Sequence, residues 1–500
     1  MELQQLLSVA FAYGATVFIK NEKQALAEVL GLAYDSSKVE PGYMFFAIKG
    51  ELTDGHKYIG NAIKAGALAV VVQERQPDLP AHVAQIMTND SRRLMGRLAA
   101  AYYGHPEQEI RLIGVTGTNG KTTTTYLIQF LLESAGIRTG LIGTVHNQAG
   151  SKILPATHTT PESLELFKLF ALMRAEGCRA VVMEVSSHAL SQGRTDSCDF
   201  SAAIFTNLSQ DHLDYHGNME SYCAAKTTLF SSLNNDSYKN TYGIINTDDT
   251  FAKAFTSACA APLWNYGKAL GADVRLICYT SDLQGVSFTL QYKGQSYEAQ
   301  MPLIGRFNVY NALAAISCAL AEGLDLEECL RALAHTPQMP GRFELIKAGQ
   351  DFTVAVDYAH TPDGLENVLK AARELNPAYL ICVFGCGGDR DKGKRPQMGH
   401  IAALFSDLAI ITTDNPRFED PLEIIAQIEE GAKKAGKAYF VEDDRAKAIE
   451  LAINMAKPGS MIVIAGKGHE DYQIIQGVRH YFDDREQAKR AIISFMAKTE

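Results

Sequence analysis

A glycine-rich segment at residues 114–123, with the sequence GVTGTNGKTT, has the clearest chemical potential in the chain. An apolar run, Ile110–Val115, leads into it, and a helix is predicted to begin near Thr122. Backbone N–H groups at a helix start converge on an anion, while Lys121 adds a positive charge and Thr122 a magnesium ligand. Strand, glycine turn and helix start together favour a nucleoside triphosphate site over a simple helix start. The spacing departs from the strict P-loop pattern because Val115 occupies the position of its first glycine.

Two further polar clusters follow apolar runs. Glu184, in the MEVSSH sequence of residues 183–188, could either reach the magnesium of a bound nucleotide or cap the next helix. Residues 207–216, NLSQDHLDYH, contain two aspartates and two histidines, among them His212. From the residues alone, this second cluster is equally consistent with a metal site and with a hydrogen-bonded turn.

Three predicted strands in the last third of the chain each end in a polar loop. The strands cover residues 378–384, 408–413 and 461–465, and the loops read GCGGDR, DNPR and GKGHE. Ligands bind beyond the carboxyl ends of strands in open α/β sheets, so these loops should converge. The planar fork of Arg417 could bind a carboxylate at two points, although a surface salt bridge is the alternative.

Two patterns in this part of the chain are easily misread. GCGGDR resembles a dinucleotide fingerprint, but Arg390 replaces the third glycine and no acidic residue follows at the expected distance, which argues against NAD. Asp357 and His360 are close enough in sequence to suggest a catalytic pair, yet this spacing more often reflects structural hydrogen bonding.

The 500 residues predict three α/β domains, at 1–105, 106–338 and 339–500. The first is a small α/β domain. The central domain is of the P-loop type with a mostly parallel sheet, and it includes a hairpin over residues 274–300 that turns at 293–294. Pro337, Pro340 and Gly341 mark a linker before a C-terminal Rossmann-like α/β domain.

Composition narrows the classes of partner. A net charge of −10 argues against nucleic acid or an anionic membrane as the main partner, so local basic groups must hold any anionic ligand. Nine cysteines without a paired zinc pattern indicate reduced thiols in a cytoplasmic protein. No apolar segment reaches membrane-span length, and residues 6–19 lack the basic start of a signal peptide. We therefore expect an untargeted monomeric enzyme that acts on small molecules.

Six ordered motifs, TGTNGKTT, MEVSSHAL, TNLSQDHLDYHG, GRFNVYNALAA, MPGRFE and VDYAHTPDGLE, resemble the successive motifs of the Mur ligases over essentially the whole chain. The resemblance implies ATP and Mg²⁺. It assigns the ATP site to Gly117, Thr118, Asn119, Gly120, Lys121, Thr122, Thr123, Asn308, Arg342 and Asp357. It assigns the metal to Thr122, Glu184, His212 and a carbamylated Lys226, and the catalytic roles to Lys121, Glu184, His212 and Lys226. From spacing alone, Lys226 is a solvated helix lysine.

The resemblance also implies the other two substrates. It gives the first domain the UDP end of a UDP-muramoyl dipeptide and assigns this substrate to Ser36, Glu51, Leu52, Thr53, His158, Thr159, Thr160, Ser186, Gln192 and Arg194. His158 stands where the family often has asparagine. It assigns binding of the incoming amino acid to Arg390, Asp414, Asn415, Pro416, Arg417, Gly466 and Glu470. Arg417 favours meso-diaminopimelate over lysine, because lysine has no distal carboxylate.

The implied reaction is formation of an amide through an acyl phosphate, in peptidoglycan precursor synthesis. The intermediate must be kept from water, so the third domain is expected to close over the second about the Pro337–Gly341 linker. Three alternatives remain open: a Mur-type ligase for another amino acid, a relative similar to folylpolyglutamate synthase, and a nucleotide-dependent regulatory protein that has lost ligation. The N-terminal domain weighs against the second, and Lys226, Arg417 and Glu470 weigh against the third.

Overall fold

The computed structural model describes residues 1–20, 22–50, 53–233 and 240–499. Three large sheets with helices packed on them follow one another along the chain, which confirms the α/β fold class. No helix among these residues is both long enough and apolar enough to cross a membrane. The domain boundaries at residues 105 and 338 remain predictions.

The first sheet has five strands in the order β1-β5-β4-β3-β2, and only β1 runs antiparallel to its neighbour. Its elements are α1 (Leu3–Ala12), β1 (Thr16–Phe18), α2 (Glu22–Ala25), β2 (Gly31–Ala33), β3 (Tyr43–Phe46), α3 (Ile59–Lys64), β4 (Ala69–Val72), β5 (Ala84–Met87) and α4 (Ser91–Tyr102). Short 3₁₀ helices cover Ser36–Lys38 and Gly55–Tyr58.

The central sheet has eleven strands in the order β16-β15-β14-β13-β12-β11-β6-β10-β7-β8-β9. Its elements are α5 (Pro106–Glu109), β6 (Arg111–Thr116), α6 (Lys121–Ser134), β7 (Thr139–Ile142), β8 (His146–Ala149), β9 (Lys152–Pro155), α7 (Ser163–Ala175), β10 (Ala180–Glu184), α8 (Ser187–Ser191), β11 (Phe200–Phe205), α9 (Leu213–His216), α10 (Met219–Ser231), β12 (Tyr242–Asn246), α11 (Ala252–Ala258), β13 (Leu263–Gly267), β14 (Val274–Asp282), β15 (Gly285–Tyr292), β16 (Gln295–Met301), α12 (Arg306–Ala321) and α13 (Leu326–Leu333). Seven strands that are neighbours in this order pair in parallel, namely β7, β10, β6, β11, β12, β13 and β14. Antiparallel strands extend the sheet at both edges.

The hairpin expected at residues 274–300 is the second of two hairpins in this segment, because residues 274–301 form three antiparallel strands, β14, β15 and β16. Its turn lies at Lys293-Gly294 as predicted, and both residues have the positive φ angles that such a turn requires, +48° and +81°. A second reversal separates β14 from β15. There Asp282 accepts hydrogen bonds from the N–H groups of Gln284 and Gly285 at 2.7 and 3.1 Å, a side-chain turn that the alternating pattern did not reveal.

The third sheet has six strands in the order β17-β18-β22-β19-β20-β21, and only β17 is antiparallel. Its elements are β17 (Glu344–Leu345), β18 (Thr353–Asp357), α14 (Pro362–Glu374), β19 (Tyr379–Phe384), α15 (Lys394–Phe405), β20 (Leu408–Ile411), α16 (Pro421–Ala435), β21 (Tyr439–Val441), α17 (Arg445–Met455), β22 (Ser460–Ala465) and α18 (Asp484–Thr499). A separate hairpin consists of β23 (Tyr472–Ile475) and β24 (Val478–Tyr481). The order β18-β22-β19-β20 brings the predicted polar loops to one edge.

One hydrophobic core crosses the predicted boundary at residue 105. It joins apolar side chains of α1, α4 and the first sheet to those of α7, among them Phe167 and Phe170, and to one face of the central sheet. Two further cores, one on each face of the third sheet, belong to the C-terminal region, apart from Ile304, which joins one of them. The first two regions are therefore packed as one body, and the third has its own interior.

A buried ion pair joins α17 to α18. Arg445 donates from Nε and Nη2 to both carboxylate oxygens of Asp484 at 2.7 Å, and neither side chain is exposed. Arg445 also donates to the carbonyl of Ala465 at 2.9 Å, at the end of β22.

We predict that Arg445→Ala lowers the free energy of unfolding of the third region by about 3–5 kcal/mol, because the carboxylate of Asp484 would be left buried without a partner. Urea unfolding followed by circular dichroism measures this change. The control is Lys447→Ala on the same helix, whose exposed side chain lies 3.9 Å from Asp444 and should change stability by less than about 0.5 kcal/mol. Equal losses in the two variants would contradict the role of the pair.

Candidate active site

A cleft of about 1350 Å³ lies between the central and third sheets. Its walls come from loops at the carboxyl ends of strands, as the sequence predicted for such sheets. The predicted site residues that line it are Thr118, Asn119, Gly120, Lys121, Thr122, Thr123, His158, Thr159, Glu184, Ser186, His212, Lys226, Arg342, Asp357, Arg390, Asp414, Asn415, Arg417, Gly466 and Glu470. Residues predicted for three different ligands thus share one cavity.

The loop between β6 and α6 is shaped by two glycines in the left-handed region. Gly117 has φ +149°, and a Cβ there would lie 1.9 Å from the hydroxyl of Thr206. Gly120 has φ +84° and caps α6, and a Cβ there would lie 2.4 Å from Oδ1 of Asn311. A side chain at either position would push the loop away from its neighbours. Val115 lies in β6 and is fully buried, so the loop begins after it.

Two lysines share one carbonyl of this loop. Lys121 donates to the carbonyls of Gly117 at 2.9 Å and Thr118 at 2.7 Å, and Lys226 donates to the same Gly117 carbonyl at 2.8 Å. Burial lowers the pKa of Lys121, and burial followed by the charge of Lys121 holds the pKa of Lys226 well below its usual value. Lys226 is therefore a buried amine on α10, rather than the solvated helix lysine that spacing alone suggested.

The carboxylate of Glu184 lies at the end of β10, beside the first turn of α6. It accepts hydrogen bonds from the hydroxyl of Thr122 at 3.0 and 3.1 Å and from the backbone N–H of Thr144 at 2.8 Å. Arg342 donates to the same Thr122 hydroxyl at 2.7 Å. Within the described ranges, no three His, Cys, Asp or Glu side chains converge as a complete metal site. An oxygen set of one carboxylate and one hydroxyl suits Mg²⁺, which takes its remaining ligands from phosphates and water.

His212 lies at the cleft wall beside a buried carboxylate. Its Nε2 is 3.3 Å from Asp211, and its ring packs edge-on against that of His188 at 4.8 Å. Burial lowers the pKa of His212 to about 3, although Asp211 opposes the shift, so the imidazole is neutral at pH 7. A neutral ring nitrogen is the form that binds a metal.

Side chains of the third region directly contact residues 117–120 between β6 and α6, which we call the phosphate loop after their predicted ligand. Asn119 donates to Asp363 of α14 at 2.8 Å, and Lys394 of α15 lies 3.9 Å from Asp211. Asp357 accepts hydrogen bonds from the backbone N–H groups of Phe343 and Ala359, both at 2.7 Å, which ties the segment after the linker to β18. The central and third regions thus face each other across the cleft, and side-chain contacts connect them.

Asn308 lies behind this wall. It is fully buried and donates to the carbonyl of Ile304 at 2.9 Å, whereas Asn311, three residues further along α12, faces the cleft and accepts from Thr124 at 3.3 Å. Asn311 donates to Asn308 at 3.1 Å, so Asn308 supports the residue at the wall.

His360 makes a hydrogen bond with the backbone carbonyl of Tyr358 at 2.9 Å, as expected for a structural role of this histidine.

A buried lysine connects the loops after β20 and β22. Lys467 is fully buried, and its Nζ lies 3.6 Å from Asp414, 3.3 Å from Asn415 and 3.3 Å from Glu470. Asn415 in turn donates to Glu470 at 2.9 Å. Burial raises the pKa of Glu470, and the charge of Lys467 opposes that shift. Burial also acts to raise the pKa of Asp414, but the charges of Lys467, Arg445 and Arg417 together outweigh it, so that the pKa of Asp414 falls.

Arg417 points its guanidinium into this pocket and is held through its backbone. It has φ +54°, its N–H donates to the carbonyl of Ile474 at 2.9 Å, and its carbonyl accepts from Gln476 at 2.6 Å, so the β23–β24 hairpin pairs with it. Its Nη1 donates to the carbonyl of Gly388 at 2.7 Å. No carboxylate of the described residues lies within 4 Å of Arg417, and burial followed by the charge of Arg390 lowers its pKa. Two adjacent cations of this kind favour a bound anion.

The glycines of the GCGGDR loop have a packing role. A Cβ at Gly385 would lie 2.3 Å from the carbonyl of Thr412, and one at Gly388 would lie 1.9 Å from that of Pro416. Pro416 is buried at this contact. These glycines allow the loops after β19 and β20 to touch, which accounts for them without a dinucleotide.

Three predicted substrate residues outside the cleft lining, Thr160, Gln192 and Arg194, contact one another and residues of the lining. Arg194 donates to the carbonyl of Thr160 at 2.9 Å and to Gln192 at 3.0 and 2.6 Å, and Thr160 accepts from the N–H of Ser186 at 3.0 Å. Thr159 accepts from Thr144 at 3.0 Å.

The predicted UDP residues lie in the first region. Ser36 opens a 3₁₀ turn, and Thr53 is exposed and 3.4 Å from the hydroxyl of Tyr58. They lie outside the lining of the main cleft. Glu51 and Leu52 are outside the described residues.

Several groups at the site were not predicted from the sequence. They include Asn207, whose amide accepts from the N–H of Asn119 at 2.9 Å and donates to its carbonyl at 3.0 Å, together with Asp363, Lys394 and Lys467. Lys467 lies inside a loop that the sequence had singled out, where a lysine between glycines and an acid was a usable signal. Asp363 carried no such signal, because its partner Asn119 is far away in sequence.

Three family models match the chain in sequence order. "Mur ligase family, catalytic domain" matches residues 28–103, "Mur ligase middle domain" matches 115–319, and "Mur ligase, glutamate ligase domain" matches 341–468.

Curated relatives and a solved structure agree with these matches. The "UDP-N-acetylmuramoyl-L-alanyl-D-glutamate--2,6-diaminopimelate ligase" of Syntrophomonas wolfei is 50% identical over 92% of this chain and 94% of its own length. The protein of the same name from Caldanaerobacter subterraneus is 45% identical over 93% of this chain and 95% of its own. A structure of a ligase with this name is 34% identical, has a TM-score of 0.67 and covers 99% of both chains.

Proposed function

The chain belongs to the Mur ligase family, and from this premise we propose that it joins meso-diaminopimelate to UDP-N-acetylmuramoyl-L-alanyl-D-glutamate in peptidoglycan precursor synthesis, at the expense of ATP. One observation carries the proposal: a phosphate loop and a pocket with paired cations and carboxylates line the same cleft. An amide ligase needs both, because the carboxylate must be activated where the amine is held.

Activation precedes amide formation, since a carboxylate has no adequate leaving group. Its oxygen would attack the γ-phosphate of ATP in line, and the amine would then displace phosphate from the acyl phosphate. Lys121, now bonded to two loop carbonyls, would turn to the phosphate oxygens and stabilise the charge that develops there. The bridged cleft of the central and third regions would exclude water from the intermediate.

Magnesium fits the oxygen ligands at the head of α6. Thr122 and Glu184 would hold it, with support from His212, just before α9, and from a carbamylated Lys226 on α10. When bound, the ion neutralises phosphate charge and polarises the transferred group.

The amino-acid pocket is best matched by a molecule charged at both ends. Arg417 and Arg390 would bind the distal carboxylate, while Glu470, held by Asn415 and Lys467, would face the distal ammonium. Lysine would leave Arg417 buried beside Arg390 without an anion. A folylpolyglutamate synthase-like function is disfavoured by the first sheet and its family match.

The nine cysteines are free thiols, which suits a reducing compartment, and we propose a cytoplasmic monomer. Sedimentation equilibrium would check the monomeric state.

Movement of the third region about the segment 337–341 also remains a prediction. Identical X-ray scattering profiles in solution with and without substrates would count against it.

The direct test is release of phosphate with ATP, Mg²⁺ and the UDP-muramoyl dipeptide, in parallel reactions with meso-diaminopimelate and L-lysine. We expect phosphate release and a product of the mass of the tripeptide only with diaminopimelate. Activity with lysine alone would retain the ligase and refute the assigned amino acid. Absence of phosphate release with both amino acids would favour a regulatory protein that has lost ligase activity.

Arg417→Ala should raise the KM for diaminopimelate by roughly 10- to 100-fold, because it removes charge-assisted hydrogen bonds to a carboxylate. The KM for ATP should stay within about twofold, since Arg417 bonds to Gly388 and to the β23–β24 hairpin rather than to the phosphate loop. Arg331→Ala is a matched control, because Arg331 is exposed on α13 and pairs loosely with Glu327 at 3.8 Å. Comparable losses for diaminopimelate and ATP would refute the assignment.

Lys226 should be carbamylated at neutral pH. Only the unprotonated amine adds CO₂, and the lowered pKa keeps Lys226 in that form at a pH where ordinary lysines are charged. After equilibration with ¹³C-bicarbonate, we expect a carbamate resonance that is absent in Lys226→Gln and retained in the exposed-site control Lys253→Gln. The signal should weaken as the pH falls. A wild-type spectrum without the resonance at saturating bicarbonate would count against the modification.

A further inference from the structure

An arginine of the first region contacts the group that contains Arg194. Arg92, in the first turn of α4, donates from Nη1 to Oε1 of Glu162 and lies 3.5 Å from Oε1 of Gln192. Glu162 immediately precedes α7, and its same Oε1 is 3.1 Å from Nε of Arg194. One carboxylate oxygen therefore serves two arginines from different regions of the chain.

These groups are shielded from water, so their charges interact strongly. The exposed fractions of the side chains are 18% for Arg92, 14% for Arg194 and 12% for Glu162. Arg194 and Glu162 alone would make a neutral pair, and a neutral pair has little attraction for an anion. With Arg92 added, two arginines and one carboxylate leave a net charge of +1.

Two other acidic groups nearby have partners of their own. Glu165, one turn along α7, is hydrogen-bonded by Tyr34, and burial raises its pKa. Asp196 is paired with the exposed Arg93 at 3.1 Å.

We propose that Arg92 is a positioning residue for the carboxylate substrate: it shares the carboxylate of Glu162, so that Glu162 neither fully offsets the charge of Arg194 nor turns Arg194 away from the ligand. This inference rests on the proposed function. The D-glutamate end of the proposed substrate has two carboxylates, of which one is consumed by activation and the other stays anionic throughout the reaction. Arg194, bonded to the carbonyl of Thr160 beside the Glu184 strand, is placed to bind the second.

The arrangement also links the two ends of the substrate. Arg92 and Tyr34 belong to the region assigned to the UDP end, whereas Arg194 and Thr160 adjoin the phosphate loop region. The position of the first region therefore directly affects Arg194, the residue proposed to bind the carboxylate that is not joined.

The test compares Arg92→Ala with the double variant Arg92→Ala/Glu162→Gln. The single variant should raise the KM for the UDP-muramoyl dipeptide by roughly tenfold, with the KM values for ATP and diaminopimelate within about twofold. The double variant should recover most of this loss, because an uncharged glutamine no longer neutralises Arg194. A purely structural role for Arg92 predicts no such recovery.

Arg93→Ala is the matched control, since Arg93 is the next residue on α4 and its side chain is 61% exposed. Its kinetic constants should be unchanged. If Arg92→Ala does not fold, Arg92→Gln keeps most of the side-chain length and is compared with Arg92→Gln/Glu162→Gln in the same way.

The inference is overturned if the double variant is no better than the single one, or if all three KM values rise together. Either result, with normal wild-type turnover, leaves the proposed function intact. A wild-type protein that does not bind the UDP-muramoyl dipeptide in calorimetry would instead refute the proposed function, and this inference with it.

Discussion

The phosphate loop keeps its shape because Gly117 lies against Thr206 with no space for a side chain. This contact fixes the direction of the Gly117 carbonyl, which accepts from both Lys121 and Lys226. It also sets Asn119 between Asn207 of the central sheet and Asp363 of the third region. The loop thus contacts α10, α14 and the segment after β11, and a substitution at Gly117 would disturb its contacts with all three.

In the structure, the side chains proposed to bind anions are bonded to the protein itself. Lys121 bonds to loop carbonyls, Arg342 to Thr122, Arg417 to Gly388 and Arg194 to Gln192. These contacts hold the cations near their working positions in a protein whose net charge is −10. Binding of each substrate exchanges internal hydrogen bonds for bonds to the ligand, so the net gain comes mainly from the charge of the ligand.

The sequence predicted the site best where the chemistry is local. The phosphate loop, the DNPR loop and the GKGHE loop each occupy a few consecutive residues after a strand, and α6 begins within one residue of the prediction. The turn at Lys293-Gly294 could also be predicted from the sequence, because glycine is typical of its backbone conformation. The second reversal before Gly285 was missed because it depends on the side chain of Asp282.

Contacts between distant segments could not be predicted in this way. Which of Asn308 and Asn311 faces the cleft depends on the rotation of α12, which the motif does not specify. The burial of Lys226 depends on how α10 packs under the loop, and only the family resemblance pointed to that residue. Arg92 is separated by 70 residues from Glu162 and by 100 from Gln192, and no local pattern connects it to them.

The core shared by the first two regions bears on how the protein is made. Phe167 and Phe170 of α7 are fully buried in the cluster that also contains Leu94 and Leu98 of α4. A fragment beginning at residue 106 would expose this side of α7 to water and would be prone to aggregation. During synthesis, the core that the first hundred residues share with α7 can therefore be completed only after α7 has left the ribosome.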